Sequence, residues 1–501
     1  MMRRGFPSSL LLCLLSFIAA AVGSAGPALR QGDGLNELIF DVTKLRREAV
    51  GVASSETSMF LDDLTSRVHH NDGLKEKDKI VKLPGQPHGV KFDQYAGYVT
   101  VDARSGRALF YYFAEAVGRD SSSKPLLVWF NGGPGCSSFG YGAMDELGPF
   151  RVMSDGRTLY RNPYAWNAVA NVLFLESPAG VGFSYSNTTS DYDKSGDQRT
   201  AEDAYVFLLN WMERFPEYKG RDLYLAGESY AGHYVPQLAI TILRHKNRSA
   251  SAAAINLKGI AIGNAAIDME SDNRGMYDYF WTHALISDAT AHAIHKHCNF
   301  SSEADAQPPK CTKALQDAQS VFEELDIYNI YAPLCSSSSL SPTPKKPKID
   351  NYDPCSSVYI KAYLNDPDVQ KALHANVTKL DHPWSGCSQV IPYWNDSPPT
   401  ILPIIRKIQA NGVQVLVYSG DIDGRVPVTS TTYSLNRLKL HVKAPWRSWT
   451  VNDQVGGYAV VYDGNLTFAT VRGAGHEVPS YQPVRSLEMI KSFLHGQKLP
   501  A

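Results

Sequence analysis

The sequence predicts an α/β fold: a mixed, mostly parallel central sheet with helices on both faces and a disulfide-rich helical cap insertion. Three observations predict it. Short, continuously apolar runs alternate with helix-like segments, several runs stand before a Gly-containing turn, and the alternation lapses once, in a cysteine-rich stretch. Continuous apolar runs are typical of parallel strands, because helices bury both faces of such a sheet. The strand order does not follow from this pattern.

The predicted core starts with a hairpin and continues as alternating strands and helices. Residues 98–115 contain two β-like runs around Ser105-Gly106, which predicts the hairpin. Six further strands are predicted at residues 125–130, 172–175, 223–226, 259–262, 413–418 and 468–471. Helices with apolar faces are predicted at residues 201–215 and 234–243. The core therefore divides into residues 80–267 and residues 401–501.

Residues 268–400 interrupt the core and hold five of the six cysteines that follow residue 25. We expect a cap over the carboxyl edge of the sheet, where α/β enzymes place their sites. Within it, residues 336–349 are rich in Ser, Pro and Lys, which is typical of an exposed, disordered loop. The basic residues also suit a processing site, but a solvated loop is the simpler interpretation.

The N-terminus has the layout of an export signal. Arg3 and Arg4 precede an apolar run over residues 10–22 and then four small residues, which predicts a signal peptide over residues 1–25. This run is shorter than the roughly 20 apolar residues that span a bilayer, so we expect no membrane contact after the signal is removed. Residues 26–79 are polar without a strong apolar period, which favours a propeptide over a merely disordered extension.

Cysteines and glycosylation sequons agree with export. Of the seven cysteines, Cys13 lies in the signal. The even set that remains predicts three disulfides with the pairing open: Cys136, Cys298, Cys311, Cys335, Cys355 and Cys387. No two have C-x-x-C spacing, so no metal site is expected. Six sequons predict a glycoprotein, at Asn187, Asn247, Asn299, Asn376, Asn395 and Asn465. Together they predict the secretory pathway, with an extracellular, vacuolar or lysosomal destination.

The charge balance argues against some partners. Lys plus Arg number 49 and Asp plus Glu number 50, so no global field points to nucleic acid or to an anionic membrane surface. No motif for a cofactor stands out. The oligomeric state does not follow from the sequence, and a homodimer stays open.

One serine has the surroundings of a nucleophile. Ser229 lies between Gly227 and Ala231, directly after a predicted strand and before a predicted helix. This is a variant of the G-x-S-x-G nucleophile elbow, in which a sharp turn presents the hydroxyl above the sheet. Small residues and serine are common in turns, so the flanking strand and helix carry much of the inference. The segment predicts the α/β-hydrolase fold.

A serine nucleophile needs an imidazole base and a carboxylate, which follow the serine in the order acid, then His, in this fold. The strand at residues 413–418 leads to Asp421 and Asp423. The strand at residues 468–471 leads to His476 in a Gly-rich turn. Both sites follow the carboxyl ends of strands. The spacing leaves the two aspartates as alternatives for the acid.

A glycine-rich loop supplies the expected oxyanion hole. In this fold one donor is the backbone N–H after the nucleophile, here that of Tyr230, and the other comes from the loop after an earlier strand. Residues 131–135, with the sequence NGGPG, offer that loop. A phosphate-binding loop would need Gly-Lys-Ser/Thr, which is absent here.

Three blocks closely resemble those of the serine carboxypeptidase family. They are WFNGGPGCSS at residues 129–138, GESYAGHY at 227–234 and GAGHEVP at 473–479. Ala231 is the family's own residue in the elbow. The resemblance extends over about residues 83–492, and VPV at 426–428 with HEVP at 476–479 looks most like the plant branch that is often cleaved into two chains.

The resemblance implies roles that spacing does not give. It selects Asp423 as the acid beside Ser229 and His476, and it places Gly133 with Tyr230 in the oxyanion hole. Around the terminal carboxylate of a peptide it places Trp129, Asn131, Gly132, Glu146 and Glu228. It also implies the bridges Cys136–Cys387, Cys298–Cys311 and Cys335–Cys355.

Two Glu side chains that face an anionic substrate repel it unless they share a proton, which raises their effective pKa. We therefore expect KM to rise with pH. The simpler alternatives are that Glu228 caps the elbow helix and that Glu146 lies on the surface. Glu477 is either an attractor for basic side chains or a solvated turn carboxylate.

Three functions are compatible with these residues. A peptidase would release C-terminal amino acids from peptides or proteins. An acyltransferase would use the same triad on sugar esters, but relatives of that kind commonly have Asp before the serine, whereas this chain has Glu228. A non-catalytic scaffold would lack a triad residue, and none is missing here.

Overall fold

The computed structural model describes residues 64, 67–69, 71, 73–118, 121–304, 306–337, 339–345 and 352–501. The predicted signal peptide, the sequence up to residue 63 and residues 346–349 of the predicted loop lie outside this part. Within it, no helix combines the length and the apolar character needed to cross a bilayer.

Ten of twelve strands in the described part form a single sheet. In chain order the strands are β1 (Gln94–Asp102), β2 (Arg107–Ala114), β3 (Leu126–Phe130), β4 (Phe150–Val152), β5 (Leu159–Arg161), β6 (Asn171–Leu175), β7 (Asp222–Glu228), β8 (Asn256–Gly263), β9 (Gln414–Gly420), β10 (Val442–Val451), β11 (Gln454–Tyr462) and β12 (Leu466–Val471). The order across the sheet is β1-β2-β6-β3-β7-β8-β9-β12-β11-β10, and β4 pairs with β5 separately.

The six central strands, β6 to β12 in that order, pair in parallel, and the strands outside them pair antiparallel. These six strands are the six predicted apolar runs, and β1–β2 is the predicted hairpin, which starts four residues earlier than expected at Gln94. The mixed, mostly parallel sheet is therefore confirmed. The β10–β11 hairpin was not predicted.

Helices cover both faces of this sheet. They are α1 (Leu74–Asp78), α2 (Asp197–Arg214), α3 (Ala231–His245), α4 (Ala250–Ala253), α5 (Met269–Thr282), α6 (Asp288–His297), α7 (Pro309–Asp317), α8 (Ser320–Glu324), α9 (Ser356–Leu364), α10 (Pro367–Ala372), α11 (Leu402–Ala410), α12 (Val428–Asn436), α13 (Val478–Tyr481) and α14 (Pro483–Leu494), with a π-helix at Ser138–Glu146. Helices α2, α3 and α11 pack on one face, and α9, α14 and the π-helix pack on the other.

The central strands show why their sequences are continuously apolar. Leu126, Val128 and Phe130 of β3 enter one core, while Leu127 and Trp129 enter the core on the opposite face. Because both faces are covered, period-two alternation between apolar and polar residues disappears.

Between β8 and β9 the described part of the chain contains helices α5 to α11 and adds no strand to the sheet. Helices α5 to α8 share a small core of their own. Residues 336–349, predicted to be a disordered loop, include a docked stretch: Ser341 N–H donates to the Ser154 carbonyl (2.9 Å), and Lys345 N–H donates to Ser154 Oγ (2.9 Å). The turn between β4 and β5 thus holds part of this segment.

The end of the predicted 26–79 extension packs on the core. Asp78 of α1 accepts hydrogen bonds from Tyr111 (2.6 Å) and Arg214 (2.5 Å), and His69 N–H donates to Asn210 (2.7 Å). A propeptide that ended at residue 79 would remove the buried partner of Arg214. The described residues 67–69, 71 and 73–79 therefore belong structurally with the core.

Candidate active site

The nucleophile elbow places Ser229 between β7 and α3. The serine has a φ of 62°, in the left-handed region that non-glycine residues enter at a cost of about 1–3 kcal/mol. Two backbone hydrogen bonds hold it there: its N–H donates to Gly263 (3.0 Å), and its carbonyl accepts from Ala266 (3.1 Å). The turn is therefore fixed from the neighbouring strand β8.

The elbow also explains its own departure from G-x-S-x-G. A Cβ at Gly227 would lie 2.7 Å from the Cβ of Ala231 and 2.5 Å from the carbonyl oxygen of Phe130. The two positions that flank the serine thus face each other, and only one of them has room for a methyl group. Glycine is required at position 227, whereas alanine fits at position 231.

The imidazole of His476 contacts a carboxylate through one of its two nitrogens. Its Nδ1 lies 2.8 Å from Asp423 Oδ2, and both side chains are fully buried. His476 Nε2 and Ser229 Oγ are buried too, and neither has a hydrogen-bond partner among the described residues. Strands β7, β9 and β12 bring the three residues to one edge of the sheet, in the chain order expected of this fold.

Asp423 is held by donors on every side. Its oxygens accept from Asn264 Nδ2 (2.7 Å), Arg425 N–H (2.7 Å) and Val426 N–H (3.1 Å), besides the histidine. With Nδ1–H donated to this carboxylate, the lone pair of His476 lies on Nε2, as a base for a serine hydroxyl requires.

Asp421, the other candidate for the acid, has a different contact. It accepts the N–H of Gly473 at 2.6 Å, which ties the end of β9 to the loop that carries His476. Burial raises the pKa of this carboxyl. Of the two aspartates, only Asp423 contacts the imidazole in the described structure.

The glycine-rich loop lies against the elbow. A Cβ at Gly132 would lie 2.3 Å from the backbone nitrogen of Tyr230. A side chain at this position would therefore collide with that N–H group. Gly133 has a φ of 111°, which favours glycine. Within the described part of the chain, the N–H groups of Gly133 and Tyr230 have no hydrogen-bond acceptor. Two such amides next to a serine suit an oxyanion.

A pair of buried glutamates stands beside the nucleophile. Glu228 precedes Ser229, and Asn131 Nδ2 donates to both Glu228 (3.1 Å) and Glu146 (2.7 Å). The two carboxyl groups also share a hydrogen bond. Trp129 Nε1 donates to Asn131 Oδ1 at 2.7 Å and fixes the orientation of the amide. Both glutamates are at most 1 % exposed, so Glu146 is not the surface residue of the simpler interpretation.

The proton balance of this pair follows from its burial. Desolvation, opposed by hydrogen bonds from Glu228 and Asn131, raises the pKa of Glu146 to about 7. Asp145 raises it further and Arg151 lowers it. A carboxyl of this kind retains a proton at mildly acidic pH and can donate it in a hydrogen bond.

Comparison with known proteins agrees with this geometry. The family model described as serine carboxypeptidase matches residues 84–496. Among curated proteins, the chain is 58% identical to serine carboxypeptidase-like 40 of Arabidopsis thaliana, covering 86% of this chain and 85% of the relative. It is 50% identical to serine carboxypeptidase 24 of the same plant, over 85% of this chain and 94% of that one.

The chain belongs to the serine carboxypeptidase family. Among solved structures, it resembles a prohormone-processing carboxypeptidase from Saccharomyces cerevisiae, Kex1(delta)p, with a TM-score of 0.70 and 23% identity over 84% of this chain and 96% of that one. This likeness confirms the α/β-hydrolase fold.

Three disulfides lie in the described part of this family member. They are Cys136–Cys387, Cys298–Cys311 and Cys335–Cys355, the pairing that the resemblance implies. The first joins the loop of residues 131–136 to the cap across 251 residues of chain. The predicted cap is thereby connected covalently to the neighbourhood of the expected oxyanion hole.

The sequons differ in their surroundings. Asn376 is half-buried, and the other five are exposed. Asn395 uses its amide to donate to the carbonyls of Asp193 (2.7 Å) and Ser195 (2.9 Å). Their glycosylation stays a prediction.

Two residues of the candidate site were not predicted from the sequence. Asn264 follows the carboxyl end of β8 and contacts Asp423, so a polar residue at a strand end was the available signal. Tyr328 comes from the cap: its ring lies 4.6 Å from the imidazole of His476, and its carbonyl accepts the His476 N–H (2.7 Å). No local pattern marks Tyr328. Glu477, beside His476, is 7 % exposed and therefore not a solvated turn carboxylate.

Proposed function

We propose that this chain is a serine carboxypeptidase that releases C-terminal amino acids from peptides and proteins through an acyl-enzyme, best at acidic pH. The observation that carries the proposal is the buried, hydrogen-bonded pair of Glu146 and Glu228 directly beside Ser229. A proton-sharing carboxyl pair is a donor for a substrate carboxylate, which an exopeptidase must recognise and an ester-cleaving enzyme need not.

In the proposed reaction Ser229 is the nucleophile. Its Oγ attacks the last peptide carbonyl while the hydroxyl proton passes to Nε2 of His476, and Asp423 stabilises the imidazolium that forms. The carbonyl oxygen becomes an oxyanion that accepts from the N–H groups of Gly133 and Tyr230. When the tetrahedral species collapses, His476 protonates the leaving amino group and the acyl chain stays on Ser229.

Deacylation repeats these steps with water. Water transfers a proton to Nε2 of His476 and attacks the acyl carbonyl, and the second collapse returns the proton to Ser229 Oγ. The free amino acid and the shortened peptide are the products. No metal or cofactor takes part in this scheme.

The carboxylate site would select the end of the chain. Asn131 holds the two glutamates together, and Glu146 with Glu228 offers a shared proton. A terminal carboxylate can accept that proton in a hydrogen bond more strongly than a mid-chain peptide group can. Trp129 holds Asn131 in register with the pair. The side-chain preference and the physiological substrate stay open in this proposal.

The test is product analysis with a blocked dipeptide and a matching C-terminal amide. We expect release of the free amino acid from the dipeptide, at least about tenfold slower release from the amide because the carboxylate contacts are lost, and no release by Ser229→Ala. Equal rates on the acid and the amide would contradict selection by the carboxylate.

Acyl transfer is the alternative outcome of the same assay. A sugar-ester donor and an alcohol acceptor are added in parallel, and product on the acceptor without amino-acid release would replace the peptidase assignment. Glu228 weighs against this outcome, because acyltransferase relatives commonly have Asp there.

We further propose that the chain enters the secretory pathway, loses residues 1–25, and is glycosylated. The six sequons, the three disulfides and the N-terminal apolar run support this address. N-terminal sequencing of the mature protein tests the cleavage site, and its mass before and after glycosidase treatment tests the glycans.

A further inference from the structure

A segment of the cap, residues 384–397, contacts both halves of the proposed oxyanion hole. On the loop side, Cys387 is bonded to Cys136. The backbone also pairs there, since Ser137 N–H donates to Gly386 (2.8 Å) and Ser388 N–H donates to Gly135 (2.8 Å). We call residues 384–397 the strap.

On the elbow side, the strap meets a buried carboxylate. Asp197 is 1 % exposed and accepts from Trp394 Nε1 of the strap at 2.8 Å. Three side chains of the elbow and α3 also contact this carboxylate: Tyr230 OH (2.8 Å), His233 Nδ1 (2.9 Å) and Gln237 Nε2 (2.6 Å). Four groups thus converge on one acceptor that the proposed reaction does not use.

Asp197 is itself fixed in place. It is the first residue of α2, where the helix dipole favours a negative charge. Its backbone N–H donates to the carbonyl of Asp396 in the strap at 3.1 Å, and the next N–H, of Gln198, donates to Asp396 Oδ2 at 2.9 Å. These contacts fix the position of Asp197, so its carboxylate can orient the groups that donate to it.

The side chain of Tyr230 is held along its length. Its hydroxyl donates to Asp197 and lies 2.6 Å from Ser397 Oγ of the strap, which donates to it. Its ring stacks on His233 at 4.6 Å with an interplanar angle of 11°. The same carboxylate thus fixes the tyrosine hydroxyl and the ring on which the tyrosine stacks. The backbone N–H of that tyrosine is one of the two proposed oxyanion donors.

We propose that Asp197 is a positioning residue for the oxyanion hole, which holds the N–H of Tyr230 in line by anchoring the Tyr230 side chain to α2 and to the strap. The inference rests on the proposed catalytic role of Ser229, and it assigns Asp197 no contact with the substrate. Small displacements of an oxyanion donor are costly, because removal of one donor lowers kcat by about 10²–10³.

The test compares Asp197→Asn with Asp203→Asn. Asp203 lies on the same helix, is equally buried at 1 % exposed, and accepts from Arg107 at 2.6 Å, but does not contact the elbow. Asparagine at position 197 turns an NH2 group toward donors, so the hold on Tyr230 is broken. We expect kcat to fall about tenfold or more with KM within about twofold, whereas Asp203→Asn lowers the melting temperature and leaves kcat within about twofold.

Tyr230→Phe provides a second variant that keeps the backbone N–H and removes only the anchored hydroxyl. We expect its kcat to fall by a similar factor, and the double variant with Asp197→Asn to be no slower than the slower single variant, because both break one connection. Multiplying effects in the double variant, or a kcat for Asp197→Asn equal to that of Asp203→Asn, would overturn the proposal.

A readout that needs no peptide separates this proposal from the proposed function. Phosphonylation of Ser229 by a fluorophosphonate also develops an oxyanion, so its second-order rate constant should fall about tenfold in Asp197→Asn whatever the natural substrate is. A wild-type chain that reacts with the probe but not with peptides would contradict the peptidase assignment alone. Equal probe rates in the wild type and Asp197→Asn would contradict the positioning role alone.

Discussion

Asp423 and the pair of Glu146 and Glu228 are equally buried, yet their neighbours differ. Asp423 accepts from four donors, two of them backbone N–H groups. In the other site, two carboxyl groups lie together and both accept from Asn131. An ionised carboxylate only accepts hydrogen bonds, so four donors stabilise it well. Two carboxyl groups in contact repel each other when both are ionised, and they can form a hydrogen bond when one of them carries a proton.

The difference shows that burial alone does not set the chemistry of an acid. Both sites are buried, but only the glutamate pair brings two carboxyl groups together, where two negative charges would repel each other. Asp423 suits an acceptor that orients His476. The glutamate pair suits a group that binds an anion while protonated and repels it when the proton leaves.

The largest expected effect is on kcat, at Asp423, whose carboxylate must accept the Nδ1–H of His476. Asp423→Asn places an NH2 group near Nδ1 of His476 and favours the wrong tautomer, so we expect kcat to fall by about 10³–10⁴ with KM nearly unchanged. Asp421→Asn, two residues earlier, is the matched control and should lose less than about tenfold. Steady-state kinetics of both variants decide between the aspartates; a larger loss at Asp421 would reverse the assignment.

The glutamate pair should act on KM through pH. Glu146 has a pKa of about 7, so below that pH the pair retains its proton, and above it two negative charges face the substrate carboxylate. A peptide C-terminus is ionised throughout the range from about pH 5 to 8. We expect KM to rise as pH passes about 7, with a smaller change in kcat.

Glu146→Gln tests that interpretation directly. Glutamine still donates a hydrogen bond but does not titrate, so KM should become nearly independent of pH, at a value within about tenfold of the wild type at pH 5. If KM of the wild type is flat between pH 5 and 8, or if the variant keeps the wild-type profile, the pair does not control binding through its proton.

Two further buried carboxyls extend the contrast to stability. Desolvation raises the pKa of Glu176, which accepts from Phe183 N–H (2.6 Å), and of Asp272, which accepts from Ile267 N–H (2.9 Å), to about 7 in each case. A carboxyl whose folded pKa is raised stabilises the fold fully below its unfolded pKa, and that stability is lost as pH rises through about 7.

We therefore expect a higher melting temperature at pH 5 than at pH 8, with each raised carboxyl contributing up to about 1.4 kcal/mol per pH unit within that window. Differential scanning calorimetry measures the difference. Glu176→Gln should reduce it, and a chain that is more stable at pH 8 would show that these buried groups do not dominate the pH dependence.

The central strands of the sheet could be predicted from the sequence more completely than the strands at its edge. The central strands are continuously apolar because both their faces are covered, and that pattern is visible without a structure. The β10–β11 hairpin was not predicted because β10 is an edge strand. Its residues, such as Trp446, are largely exposed, and it contains Pro445. Exposed edges give no apolar run to detect.

The site shows the same limit. The elbow, the order of the triad and the glycine loop could be predicted from local motifs. The choice between Asp421 and Asp423 could not, because both come directly after β9 and differ in the residues that contact them from other parts of the chain. Asn264 lies 159 residues from Asp423 in the chain. Asp197 lies 33 residues from Tyr230 and meets a tryptophan of the cap 197 residues away. Such contacts depend on tertiary structure, which local spacing does not encode.

Glu477 offers the smallest and finest test, because it is a third buried carboxyl beside the triad. It follows His476 directly and is 7 % exposed, so a charge on this carboxyl would be poorly screened from a substrate held near Ser229. If Glu477 attracts basic side chains, Glu477→Gln should lower kcat/KM for dipeptides with Lys or Arg next to the scissile bond by about two- to fivefold relative to Leu. Paired kinetics on Lys and Leu substrates at pH 5 measure that ratio. An unchanged ratio would contradict a role of Glu477 in the selection of basic side chains.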